Sequence, residues 1–317
     1  NPLLVKSAAL MAILILTGCT LAQQGAFNLE SYGKPASAPL GAYGDGVHDD
    51  TAALNISAAA ARLGSRSLEL PAGVFLVSDT IDLSGLRVTG AGVSSTRIQS
   101  TSGQFNVVYL GSGPASISHL EINGGWDGAT AGQLGDGIFI GGAANQFTYQ
   151  ILLFDIAIRY VKRNGIEWQR GAYSQATHVM VAACGLHGLH LYGNGQEDLA
   201  TTIRVDGNST LSSCPNGYGA LISQAVNITL DGVIIEETHG IKLDGNDNRS
   251  ITIKDVYQES TAGGKFLDWG TSSGIGLNLS GCYGAGSLSV PANDSWCNVH
   301  YGGNSAISLP PVPAGGR

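Results

Sequence analysis

Apolar residues in this chain recur in pairs around one variable position. The phrase reads Leu120-Glu-Ile122, Ile156-Ala-Ile158, Val179-Met-Val181, Ile203-Arg-Val205, Ile228-Thr-Leu230, Ile251-Thr-Ile253 and Leu277-Asn-Leu279. From Ile156 onward its copies begin about two dozen residues apart, the spacing of a solenoid repeat. A second phrase, glycine followed by apolar-x-apolar, runs in step: Gly137-Ile-Phe-Ile140, Gly165-Ile-Glu-Trp168, Gly188-Leu-His-Leu191, Gly219-Ala-Leu-Ile222 and Gly240-Ile-Lys-Leu243. Strict alternation predicts short strands, and two per repeat with glycine at the bends predicts a single parallel β-solenoid of nine or ten turns. One such turn cannot bury its own side chains. Stacked turns, about 4.8 Å apart, bury them as ladders of like residues.

The open end of such a ladder needs a cover. Asp49-Asp50 precedes an alanine-rich stretch from Thr51 to Leu63, with Gly64 after it, which predicts a capping helix near residues 50–63 with an acidic N-cap. Leu54, Ala58, Ala61 and Leu63 form its apolar stripe. The expected organisation is residues 1–22 as a signal segment, 23–40 as a linker, 41–300 as the solenoid and 301–317 as a Pro- and Gly-rich flexible tail.

Residues 1–22 read as an export signal because Lys6 precedes a short apolar run, Ala8 to Leu16, followed by small residues. Leu16-Thr17-Gly18-Cys19 resembles a bacterial lipobox, which would lipidate Cys19 and place the protein at the cell envelope; Thr20-Leu21-Ala22 offers ordinary cleavage and secretion. An oxidising compartment then permits disulfides among Cys184, Cys214, Cys282 and Cys297; the pairs drawn are 184 with 214 and 282 with 297, although four cysteines allow three connectivities. None lies in a Cys-x-x-Cys, so nothing supports a zinc or redox motif.

Composition narrows the partners. Sixteen Lys plus Arg against 24 Asp plus Glu give a net charge of -8. No basic surface is available for nucleic acid, and a membrane enters only through the lipid anchor.

The segment from Gly41 to Leu54, with Gly44-Asp45-Gly46 and Asp49-Asp50-Thr51, and the following Leu70-Pro-Ala-Gly73-Val-Phe-Leu-Val77 closely resemble the start of the pectate lyase-like superfamily of right-handed parallel β-helices. The resemblance at the level of the repeat covers about residues 38–290. It implies an all-β, right-handed parallel β-helix and activities like those of polygalacturonases, rhamnogalacturonases, exo-glucanases and tailspike depolymerases, in a monomer or homotrimer. In that superfamily the segment is structural, which makes Asp45, Asp49 and Asp50 capping residues. The polygalacturonase signature is missing: there is no Asn-Thr-Asp and no Arg-Ile-Lys, and the sole Asp-Asp is in the cap. No calcium-binding aspartate ladder is identifiable, so calcium enters only if the chemistry is that of a lyase.

The repeat itself nominates a site, because residues at matching phase stack outside as they do inside. With the phrase's glycine as zero, the preceding position holds Asp136, Asn164, His187, Tyr218 and His239; two residues after it come Phe139, Glu167, His190, Leu221 and Lys242; four after it come Gly141, Gln169, Tyr192, Ser223 and Asp244. His178 begins the preceding strand beside this stripe.

Asp136, Glu167, His187, His190, Tyr218 and Lys242 are the catalytic candidates, with Tyr192, His239, Asp244, Trp126 and Trp269 as substrate contacts. Asp136 and Glu167 suit the acid and base of an inverting hydrolase. His187 or His190 with Tyr218 and Lys242 suit an eliminating lyase or an epimerase, which need a base beside a uronate carboxylate and a cation for the developing charge. The function expected is an exported enzyme cleaving an extended, uronate-containing glycan. The alternative is a glycan-binding module without catalysis.

Overall fold

The computed structural model describes residues 41–64, 67–111, 113–129, 131–142, 146–193, 199–245, 247–259, 265–269, 275–284 and 286–289, with strand fragments Phe27–Asn28, Asn298–Val299 and Ile307–Ser308. The expected leader, Cys19, Cys297 and, apart from Phe27–Asn28 and Ile307–Ser308, the expected linker 23–40 and tail 301–317 lie outside the described residues. The chain winds into a parallel β-helix of about nine turns. Among the described residues one long sheet has 19 strands, and a second, which carries the glycine phrase, has ten.

The stacking register is the one the two phrases predict. In the large sheet Ile156 and Ile158 pair with Leu120 and Ile122 below and with Val179 and Val181 above. In the smaller sheet Ile138, Ile166, Leu189, Ala220 and Ile241 form one inward ladder. Ile140, Trp168, Leu191, Ile222 and Leu243 form the next. These side chains are essentially inaccessible to water, and together they make one continuous core.

Four of the five phrase glycines, all but Gly240 at φ 87°, are needed for space and not for a turn. Gly137, Gly165, Gly188 and Gly219 do not have positive φ; they lack room. A Cβ on Gly165 would lie 2.1 Å from Val181 Cγ1 and 2.6 Å from the Gly188 carbonyl oxygen. A Cβ on Gly137 would lie 2.3 Å from Ile158 Cγ2. The smaller sheet thus starts where its backbone presses on the ladder of the larger one. Gly165→Ala is expected to destabilise the fold by ~3 kcal/mol through overpacking, measured by urea denaturation, with partial recovery in Gly165→Ala/Val181→Ala.

Several bends are made instead by ordinary residues in the left-handed region. Tyr173, Thr202, Asn227 and Ser250 stack in register with φ of 51°, 53°, 57° and 53°. Each pays conformational strain, offset by the ladder hydrogen bonds on both sides.

Helix Thr51–Leu63 buries Ala53, Leu54, Ser57, Ala58 and Ala61, while Leu63 is 84% exposed and takes no part in the cover. Asp50 is the N-cap residue, but its carboxylate accepts the backbone N–H groups of Tyr43 (2.6 Å) and Gly44 (3.0 Å) and makes no cap bond to the helix. The pairing of Cys184 with Cys214 needs correction: both are buried free thiols that interact side by side in the core. Cys282 is buried, with its Sγ 3.3 Å from the Ser280 carbonyl oxygen, and its expected partner Cys297 lies outside the described residues.

Candidate functional site

The outer face of the smaller sheet carries three columns of side chains. The first is held together by an unusual ladder, in which a side-chain acceptor takes the backbone N–H of the residue one turn up. Asn106 Oδ1 accepts from Asp136 (3.1 Å), Asp136 Oδ1 from Asn164 (3.0 Å), Asn164 Oδ1 from His187 (3.0 Å) and His187 Nδ1 from Tyr218 (3.0 Å). This position therefore calls for an acceptor. It also fixes the tautomer of His187: with Nδ1 accepting, Nε2 carries the proton and can only donate.

In the second column Tyr109, Phe139, Glu167, His190 and Leu221 pair one turn to the next, followed by Lys242 and Asp268. Gln169, Tyr192, Ser223 and Asp244 align as the third. Glu167, His187 and His190 thus share one face.

At the centre of this face His190 Nδ1 lies 2.9 Å from Glu167 Oε2. A carboxylate only accepts, so Nδ1 donates and His190 Nε2 keeps its lone pair. The Glu167 side chain is 3% exposed and that of His190 is 22% exposed, so the imidazole reaches solvent and the carboxylate does not. Burial pushes the Glu167 carboxyl up, but the bond to His190, the nearby Arg163 and the 2.6 Å bond from Asn164 Nδ2 together hold it below its ordinary value. Tyr192 stacks on His190 with ring centroids 4.7 Å apart and accepts from Gln169 Nε2; burial and the charge of Glu167 keep its phenol protonated.

Tyr218 occupies the turn above. Its ring lies 5.9 Å from that of His187, with Lys242 Nζ 5.6 Å from its centroid, and its hydroxyl donates to Asp268 at 3.4 Å. Burial also raises this phenol. Lys242 pairs with Asp244 at 3.0 Å, which holds the ammonium above its usual value against the effect of burial.

Residues 39–287 match the family described as rhamnogalacturonase A/epimerase, pectate lyase-like. The chain belongs to that family. Curated protein sequences give no significant match to this pectate lyase-like chain. Solved structures give its fold. It is similar to the A-module of the Azotobacter vinelandii mannuronan C-5 epimerase AlgE4, at 15% identity over 89% of this chain and 80% of that one, with a TM-score of 0.52. It is also similar to the N-terminal fragment of bacteriophage Phi29 gene product 12, at 15% identity over 90% of this chain and 56% of that one, TM-score 0.60. A third is the enzymatically active domain of bacteriophage CBA120 tailspike protein 2, at 13% identity over 83% and 43%, TM-score 0.57.

Several candidates stand elsewhere in this pectate lyase-like chain than expected. Asp136 is fully buried, bonded through Oδ1 to Arg163 Nε at 2.7 Å and through Oδ2 to Arg163 Nη2. The same Nη2 lies 3.5 Å from Glu167 Oε1, so one guanidinium bridges both carboxylates. Buried and joined through one guanidinium, the two carboxylates do not present the open gap that an inverting pair spans. Trp269 is 1% exposed and belongs to the core; Trp126 is half-buried in the bend after strand Ala115–Asn123, off all three columns. His239 is at the column's end, with Nε2 3.1 Å from the Pro215 carbonyl.

His178 leaves the stripe altogether. Its Nδ1 and that of His119 bond the two oxygens of Asp155 (2.9 and 2.7 Å) on the large sheet. Conversely, Arg163 was missed because it precedes the phrase by two residues, outside the three phases; its signal was the spacing Arg163 to Glu167. Among the described residues no cluster of His, Cys, Asp and Glu is arranged to hold a metal.

The ladder role of His187 has a pH signature. Burial and the neighbouring His190 hold its imidazole down to about 4 from 6.5. Between these values the unfolded chain binds the proton and the folded chain does not, so stability falls as pH drops from 6.5 toward 4, by roughly 2–3 kcal/mol in all. Asparagine serves the same ladder at Asn106 and Asn164. His187→Asn is therefore expected to keep the fold and flatten this part of the stability–pH curve, measured by denaturation across pH 4–7.

Proposed function

We propose that the chain is a polysaccharide-acting enzyme that removes a proton from a sugar ring, and that it cleaves a uronate-containing glycan by β-elimination. One observation carries the reading: His190, oriented through Nδ1 by a buried carboxylate, presents Nε2 as a base on a face furnished with protonated phenols and an ammonium. In this reading Nε2 takes the proton from the ring carbon beside the uronate carboxylate. The C–H electron pair becomes the new C=C bond, the bond to the glycosidic oxygen at the adjacent carbon breaks, and Tyr218 returns a proton to the departing oxygen. Lys242 faces the carboxylate as charge builds on it. Returning a proton to the same carbon from its other side would give epimerisation without cleavage.

Support comes from the family and from the name of one similar structure, a mannuronan C-5 epimerase. Hydrolysis is less well served because Asp136 and Glu167 are buried and bridged. The leader-like residues 1–22 would deliver the enzyme to the envelope or beyond it, where such polymers occur. The test incubates the protein with alginate, polygalacturonate and a neutral β-glucan, with and without chelator, reading reducing ends and the ultraviolet absorbance of unsaturated uronates. Both signals together are expected. Reducing ends alone would make the enzyme a hydrolase, inverted uronate configuration without cleavage an epimerase, and binding alone a non-catalytic module; chelator sensitivity would bring in calcium.

A further inference from the structure

Two turns on the N-terminal side of His190 the second column changes character, from charged to aromatic. Tyr109 and Phe139 pair in register directly below Glu167, with ring centroids 5.9 Å apart and planes within 22° of each other. Both are half-buried.

Their orientation is set by glycines two residues on, in the third column. A Cβ on Gly141 would lie 2.7 Å from Phe139 Cε1 and 3.0 Å from its Cζ. A Cβ on Gly111 would lie 3.0 Å from Tyr109 Oη and 3.3 Å from its Cε1. Each ring thus lies down over the glycine of its own turn, where Gln169 and Tyr192 stand in the turns above. Two near-parallel, offset rings on successive turns make an aromatic shelf on this face.

We propose that Tyr109 and Phe139 are a sugar-binding subsite that takes the flat C–H face of a pyranose ring, two turns from the reacting sugar. Aromatic faces attract such C–H surfaces, and a shelf with no formal charge selects a ring whose face carries no charged group. The opposite end of the column, Lys242 and Asp268, is charged. A bound polymer is therefore oriented, with an apolar sugar face on the shelf and the uronate at His190 and Lys242. This deepens the polysaccharide reading above and rests on it for the identity of the reacting end, but its own test needs binding alone.

The probe is affinity electrophoresis of the whole chain in gels containing alginate, polygalacturonate or a neutral β-glucan. Tyr109→Ala/Phe139→Ala is expected to weaken retardation by at least one polymer about tenfold, with the melting temperature within a degree or two of the parent. Phe139→Trp on the intact background should retain it, whereas a merely packed ring would not tolerate the larger one. Retardation is read without turnover, so loss of catalysis and loss of the subsite are read separately. Equal retardation of parent and double variant, or no retardation of the parent by any of the three, overturns the proposal.

Discussion

Arg163→Met is expected to lower unfolding free energy by about 3–5 kcal/mol, because it strips the partner from an aspartate with no access to water. Asp136 would keep the backbone N–H of Asn164 at 3.0 Å, which is insufficient to hold an ionised carboxylate in the core. Its carboxyl is already pushed up by burial against the pull of Arg163. The double variant Asp136→Asn/Arg163→Met should recover most of the loss, since an amide oxygen serves the ladder as Asn106 and Asn164 do without bringing a charge. Urea denaturation of the three proteins decides it. Equal losses in the single and double variants would mean that the guanidinium matters for packing rather than for charge.

His190→Ala should leave stability almost untouched and lower turnover by about 10²–10⁴-fold. The ring is at the surface, and Glu167 retains Asn164 and Arg163 when the imidazole is gone. Glu167→Gln is the more telling variant. It removes the charge that fixes the proton on Nδ1, so His190 loses its preference for the tautomer with a basic Nε2, and a loss of similar order is expected. Unchanged turnover in both variants would remove His190 from the chemistry.

Much of this was legible without coordinates. The two apolar phrases kept phase over more than a hundred residues, and phase is what decides stacking in a solenoid: Glu167 opposite His190, His187 in line with Tyr218, Gln169 with Tyr192. The acceptor requirement of the first column was also present, in the series Asn106, Asp136, Asn164 and His187, although its meaning needed the hydrogen bonds.

Depth was not legible. Alternation assigns a side chain to the inner or outer surface of a strand, yet Glu167, on the outer surface, is 2% exposed because Arg163, Asn164, His190 and Tyr192 enclose it. Trp269 was expected to contact substrate and lies in the core; Tyr109 and Phe139 drew no attention because their orientation depends on glycines in another column. The glycines and the bends exchanged explanations, with Gly165 needed for a close approach between sheets and Tyr173 turning a corner at positive φ.

The sequence by itself determined the repeat, the register and the membership of the candidate face, because strand alternation and turn length are local and stacking copies them from one turn to the next. The tertiary structure alone decided which carboxylate is buried, which imidazole nitrogen is free and which ring lies flat. Those properties arise where neighbouring turns differ from one another, and a periodic pattern carries no record of the difference.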